Sequence, residues 1–171
     1  MANTFLLAQG HGVGTSLAEP ELNDEALKIM AAAKAKNVNL VLPVDFVLGT
    51  SLDGPAAGTV AGDAIPADKM VLDIGPRSLE VFAAALKPAK TVVWNGPAGA
   101  FENPAFAAGS VGLARIVAGL DAVTIAGGGD TGAQLVAAGM ADKVSFVSTG
   151  GGAFLELLEG KEMPGFTALD D

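Results

Sequence analysis

Three short loops carry most of the residues that could do chemistry. Asn95-Gly96-Pro97-Ala98-Gly99-Ala100-Phe101-Glu102 follows an apolar run ending at Trp94. Gly127-Gly128-Gly129-Asp130-Thr131 follows Ala122–Ala126, and Ser148-Thr149-Gly150-Gly151-Gly152 follows Lys143–Val147. Glycine lets a backbone approach an anion closely, and a helix opening just after it offers unpaired N–H groups and the positive end of its dipole. Thr131 adds a hydroxyl. Asp130 would repel a bare phosphate but suits a phosphate that arrives with Mg²⁺, facing the metal directly or through water. Glu102 could accept hydrogen bonds from ribose hydroxyls, and Asn95 could orient a phosphate. The plainer alternative is that the glycines only permit tight strand-to-helix turns. Asp130 or Thr131 would then be a cap, Glu102 an exposed helix-start acid, and Asn95 a turn residue. Three such turns favour a ligand site, because ligands of open α/β sheets bind beyond the carboxyl ends of strands.

Other patterns carry less. Gly127-x-Gly129-x-x-Gly132 matches a dinucleotide fingerprint, but the next strand is followed by Ser148 rather than a ribose-binding acid. Gly10-His11-Gly12-Val13-Gly14 follows a helix-like stretch and reads as a helix exit and turn, with His11, the sole histidine, structural. No Gly-x-Ser-x-Gly elbow, Gly-Lys-Ser/Thr loop or His-Glu-x-x-His motif occurs. Asp45 and Asp53, and Asp170 and Asp171, read as solvated surface.

The elements that must position these loops alternate. Val38–Val44, Thr91–Trp94, Ala122–Ala126 and Lys143–Val147 read as strands, apolar on both faces as in a covered parallel sheet. Helices are expected from Asn23, as cap, to about Lys36, with Leu27, Met30 and Ala31 on one face; over Ser78–Leu86; from Pro104 to about Gly119; from Thr131 to about Ala138; and over Gly152–Leu158. The order predicts an α/β fold, a doubly wound, Rossmann-like and mostly parallel sheet with helices on both faces, in a single domain over 1–171. Residues 46–70, rich in Gly, Pro, Asp and Thr, read as a surface excursion with a short hairpin near Thr59–Gly62. The chain opens in a helix-like stretch, Ala2–Gln9, so the first strand of the sheet is expected before Met1 and the domain to be incomplete.

Composition sets bounds on this. The 171 residues are 50% hydrophobic and 17% charged, with 10 Lys and Arg against 19 Asp and Glu, for a net charge of −9. Without a basic stripe, and with one Trp and no Tyr, a nucleic-acid partner is not expected. No apolar run approaches the roughly 20 residues of a spanning helix, so no membrane partner is expected either. The absence of cysteine excludes a disulfide framework and a thiolate metal site, and is compatible with a reducing cytoplasm.

Leu42-Pro43-Val44-Asp45, Leu72-Asp73-Ile74-Gly75-Pro76, Val93-Trp94-Asn95-Gly96-Pro97, Gly127–Thr131, Ser148–Ala153 and Leu155–Lys161 together resemble, in this order, the phosphoglycerate kinase family. The resemblance covers essentially the whole chain. It implies a cytoplasmic, glycolytic, two-domain enzyme, monomeric at full length, that exchanges phosphate between 1,3-bisphosphoglycerate and ADP to give 3-phosphoglycerate and ATP. It also implies Mg²⁺ with ADP or ATP, and makes this chain the C-terminal half that holds the nucleotide. By motif position, Asp130 serves the metal–phosphate end, Thr131 a phosphate, and Gly127, Gly128 and Gly129 the phosphate path. Glu102 binds ribose, Asn95 and Pro97 border the nucleotide, and Ala100 lies on the base side. Gly151 and Gly152 face the transferring phosphate as the catalytic pair. Val71 stands where the family usually has Gly, which narrows the base pocket, and Phe146 where it often has His. The basic domain that binds phosphoglycerate, and the strand bearing phosphate-binding lysines, have no counterpart here. The expectation is therefore an isolated chain that is inactive in transfer, phosphoryl transfer being largely positioning and charge neutralisation. It would bind phosphoglycerate only with the missing domain, and would self-associate through an open sheet edge. The alternative is a non-catalytic Mg-nucleotide-binding module.

Overall fold

A computed structural model describes residues 1–148 and 150–169; Thr149, Asp170 and Asp171 lie outside the described residues. The chain divides into two compact units, Met1–Lys87 with Ala98–Leu113, and Pro88–Pro97 with Ala114–Asp171.

The first unit opens with helix α1 (Ala2–Ala8), which ends at Gly10, whose φ of +87° only glycine adopts freely. Helix α2 spans Asn23–Ala35. Asn23 is its first residue rather than its cap, because a 3₁₀ turn over Pro20–Leu22 leads directly into it. Its inward face is set by Ala26; Leu27 is 47% exposed and does not mark that face. Strands β1 (Asp45–Gly49), β2 (Gly58–Ala61) and β3 (Met70–Ile74) form an antiparallel sheet in the order β2-β1-β3. Helix α3 (Pro76–Leu86) starts with proline at its first turn, where a missing N–H costs nothing.

Two expectations fail here. Val38–Val44 is not a strand: Val38, Leu40 and Val44 are exposed, and the ladder begins at Asp45. Nor do residues 46–70 lie wholly on the surface. Phe46 and Leu48 alternate on β1 and are 1% and 2% exposed, packed with Leu6 and Val13 into the core. Burying each such side chain contributes about 2 kcal/mol, so the period-two alternation from Asp45 onward outweighs the longer apolar run before it. The expected hairpin is real but longer, with Asp45 to Leu48 paired against Ala61 to Gly58.

The second unit is built on β4 (Thr91–Asn95), β5 (Val123–Gly127) and β6 (Phe146–Ser148), parallel and in that order. Helix α4 (Ala108–Ala118) gives its residues from Ala114 on to this unit, where Ala114 and Val117 are buried. Helix α5 (Gly129–Ala137) packs on β5 and β6 through Leu135, which is wholly buried. Helices α6 (Gly151–Leu158) and α7 (Pro164–Thr167) complete it. This parallel sheet flanked by helices is the α/β architecture the alternation predicts. Its strands are not apolar-covered on both faces, however: Val92 and Trp94 are buried while Val93 and Phe146 stand exposed. Among the described residues no helix is long and apolar enough to cross a membrane.

Candidate functional site

Because β4, β5 and β6 run parallel with Asn95, Gly127 and Ser148 in register, their following loops leave from one edge of the sheet. In the second unit these loops are tied together. The Gly128 N–H donates to the Ser148 carbonyl at 3.0 Å. The Gly96 N–H donates to Thr131 Oγ1 at 2.9 Å, and Trp94 Nε1–H closes the Asn95 turn onto the Gly96 carbonyl at 2.8 Å. Gly128 has φ +98°, and a Cβ built on Gly151 would lie 2.6 Å from the Gly128 Cα and 2.9 Å from its nitrogen. Neither position tolerates a side chain, so two backbones meet where two helices begin. The glycines are thus required by contact as well as by turn geometry.

Helices α5 and α6 open at Gly129 and Gly151, two residues and one residue before where the sequence places them. Among the described residues no side chain caps either N-terminus. Their first-turn N–H groups therefore keep their hydrogen-bonding capacity and the positive dipole end. Asp130, in the first turn of α5, is exposed. Gly152 is exposed, and a Cβ there would meet open space. Thr131 departs from expectation. It is fully buried and its hydroxyl oxygen accepts the Gly96 N–H, so it fixes the Asn95 turn, while its O–H can still donate. Asn95 and Pro97 are exposed on the same unit.

Ala100 and Glu102 belong to the first unit. Their loop is pinned by its backbone: the Ala100 N–H donates to the Leu72 carbonyl at 2.8 Å. Ser110 Oγ accepts from Ala98 and Gly99 N–H at 3.2 and 3.3 Å. Asn103 Nδ2 donates to the carbonyls of Leu52 and Gly54 at 2.8 and 2.9 Å. Glu102 itself is exposed.

Two carboxylates of this unit depart from the sequence expectation or lie outside it. Asp45 is not solvated surface: it is 4% exposed, Oδ1 accepts from the Ser78 N–H at 2.7 Å and Oδ2 from the Arg77 N–H at 3.1 Å, capping α3 from across the sheet. Asp73 is 1% exposed and accepts from the N–H groups of Ile74 at 2.8 Å and Gly109 at 2.7 Å, the latter in the first turn of α4. Burial pushes its carboxyl up to about 6, against the lowering effect of those two N–H groups. An acid inside the apolar run Val71-Leu72-Asp73-Ile74 was the available signal, since such a group must find donors.

No cluster of three or more acidic or His side chains that could hold a metal occurs among the described residues. The donor set instead suits a magnesium ion that arrives on phosphates, keeps several waters and takes one protein carboxylate. Asp130, exposed beside the converging glycine turns, fits that mode.

Comparison with known proteins agrees with the ordered motifs. The family model of phosphoglycerate kinase matches residues 1–161. Phosphoglycerate kinase of Pelotomaculum thermopropionicum is 54% identical over 100% of this chain and 44% of its own length. That of Desulfosudis oleivorans is 53% identical over 99% and 43%. Among solved structures, phosphoglycerate kinase from Coxiella burnetii aligns with a TM-score of 0.89 at 45% identity, covering 94% of this chain and 42% of that one. The enzyme from Pyrococcus horikoshii aligns at 0.77 and 28% identity, covering 99% and 43%. This chain therefore spans less than half the length of the relatives it matches, and it belongs to the phosphoglycerate kinase family.

Proposed function

We propose that this chain is the C-terminal, nucleotide-holding half of a phosphoglycerate kinase, whose whole form transfers phosphate between 1,3-bisphosphoglycerate and ADP in glycolysis. The observation that carries this reading is the pair of uncapped helix N-termini at Gly129 and Gly151, brought together by glycine backbones too close for any side chain. Such a pair is suited to the charged end of a nucleotide. In this reading the N–H groups of Gly129, Asp130 and Thr131 receive phosphate oxygens, with Gly127 and Gly128 shaping the path. Gly151 and Gly152 face the transferring group. Asp130 would hold Mg²⁺, which when bound offsets phosphate charge. Asn95 and Pro97 border the nucleotide. In the first unit Glu102 is assigned to ribose hydroxyls and Ala100 to the base side. Phosphoglycerate binding, and the cations that transfer needs beside Gly151 and Gly152, are assigned to residues outside this chain.

Calorimetry with Mg–ADP tests the reading. Binding is expected, and Asp130→Ala should weaken it by about tenfold while ADP without magnesium changes little. No heat with the unmodified chain would contradict it. The chain is also proposed to self-associate through an open sheet edge. A concentration-independent monomer by light scattering would oppose that.

A further inference from the structure

We propose that Asp73 is a positioning residue for the ribose-side loop, a buried carboxylate that clasps the turn bearing Ala100 and Glu102 to strand β3 and to the start of α4. The inference rests on the reading above only for what that loop binds. The clasp itself is geometric. One carboxylate oxygen takes the Ile74 N–H at 2.8 Å and the other the Gly109 N–H at 2.7 Å, with the side chain 1% exposed. A Cβ on Gly99 or on Gly109 would overlap the Asp73 carboxylate, so the loop and the helix start both press against it through bare backbone. One residue earlier, the Leu72 carbonyl takes the Ala100 N–H, and Ser110, one residue beyond Gly109, takes the N–H groups of Ala98 and Gly99. Strand, loop and helix are thus joined through Asp73 and its immediate neighbours, and the loop's path toward Glu102 is fixed at Gly99 and Ala100.

Among the described residues no cation pairs with the carboxylate: none of the four ion pairs includes Asp73. The nearby carboxylate of the paired strand, Asp45, is engaged with Arg77 and Ser78 on α3. Among the described residues Asp73 is held by amide donors alone. Protonation places an O–H among those donors and removes the charge that attracts them, and with the carboxyl near 6 this happens within an accessible range.

The test is an amide NMR titration of the full 171-residue chain from pH 7.5 to 5, repeated on Asp73→Asn, with adenosine affinity measured alongside. Adenosine carries no phosphate, so its own titration does not intrude. The amides of Ile74 and Gly109 should titrate with a midpoint near 6, and those of Gly99, Ala100 and Asn103 should move with them. All should be flat in Asp73→Asn. Adenosine binding should weaken about tenfold between pH 7.5 and 5 and in the variant at pH 7.5, because a displaced contact loses much of its value. Titration of Gly109 with no movement of the loop amides would overturn the proposal. So would unchanged adenosine affinity in a well-folded variant. If Asp73→Asn does not fold, the titration of the unmodified chain still decides. If adenosine does not bind at any pH, the ribose assignment fails while the loop amides still decide whether Asp73 positions the loop.

Discussion

The two units treat the start of a helix in opposite ways. In the first, the N-termini of α3 and α4 receive buried carboxylates, Asp45 and Asp73, reaching in from strands β1 and β3. In the second, the N-termini of α5 and α6 follow glycine turns and take no side-chain cap among the described residues. A capped terminus has spent its hydrogen-bonding capacity and its dipole on a fixed anion. An uncapped one keeps both for an anion that comes and goes. The difference separates helix starts that hold the fold from helix starts available for a ligand, although acidic residues stand near both kinds.

Removing a fixed anion should show its structural weight most strongly. Asp45→Ala leaves the buried N–H and hydroxyl of Ser78 and the part-buried N–H of Arg77 without their carboxylate acceptor. A loss of about 4 kcal/mol is expected, read as a lowered urea midpoint. A change under about 1 kcal/mol would mean that α3 does not depend on this cap.

Asp73 should reveal itself through pH. Its folded value, about 6, is raised above the ordinary 3.8, so the folded state binds the proton more tightly than the unfolded one. Its contribution to stability is therefore fully present below about 3.8 and is lost as pH rises through about 6. Between those limits the unmodified chain should lose up to about 3 kcal/mol that Asp73→Asn does not lose. Urea melts of both at pH 4.5, 5.5 and 7 measure it, and parallel curves would show that Asp73 keeps an ordinary carboxyl. Stability that rises in acid while the loop loosens is the mark of a charge buried for placement.

The asymmetry between units was partly legible in the sequence. The three loops, their shared edge and the helices after them follow from glycine placement and from apolar runs four or five residues long. The parallel sheet followed from the alternation of strands and helices. The burial of Asp45 is not legible locally because its donors Arg77 and Ser78 lie 32 and 33 residues away, and the Gly109 partner of Asp73 lies 36 away. No local pattern announces contacts at that range. Val38–Val44 looked more strand-like than Asp45–Gly49 because hydrophobicity alone ranks it higher. The fold instead follows the alternation that places Phe46 and Leu48 in the core. The contact of the Thr131 hydroxyl with Gly96, 35 residues away, is likewise outside any local pattern.

The comparison can be inverted at one position. Gly152 is exposed, in the first turn of α6, and a side chain there meets open space. Gly152→Asp gives α6 a fixed anion of the kind α3 and α4 have. Its better helix propensity than glycine and its interaction with the dipole should leave stability unchanged or raise it by up to about 1 kcal/mol. The most direct test of the central claim is Mg–ADP affinity by calorimetry for the unmodified chain and for Gly152→Asp, with folding followed by circular dichroism. Uncapped termini as the phosphate site predict binding by the unmodified chain and a loss of about tenfold or more in the folded variant, where the new carboxylate repels phosphate. Equal affinity in both, or no binding by the unmodified chain, would contradict it.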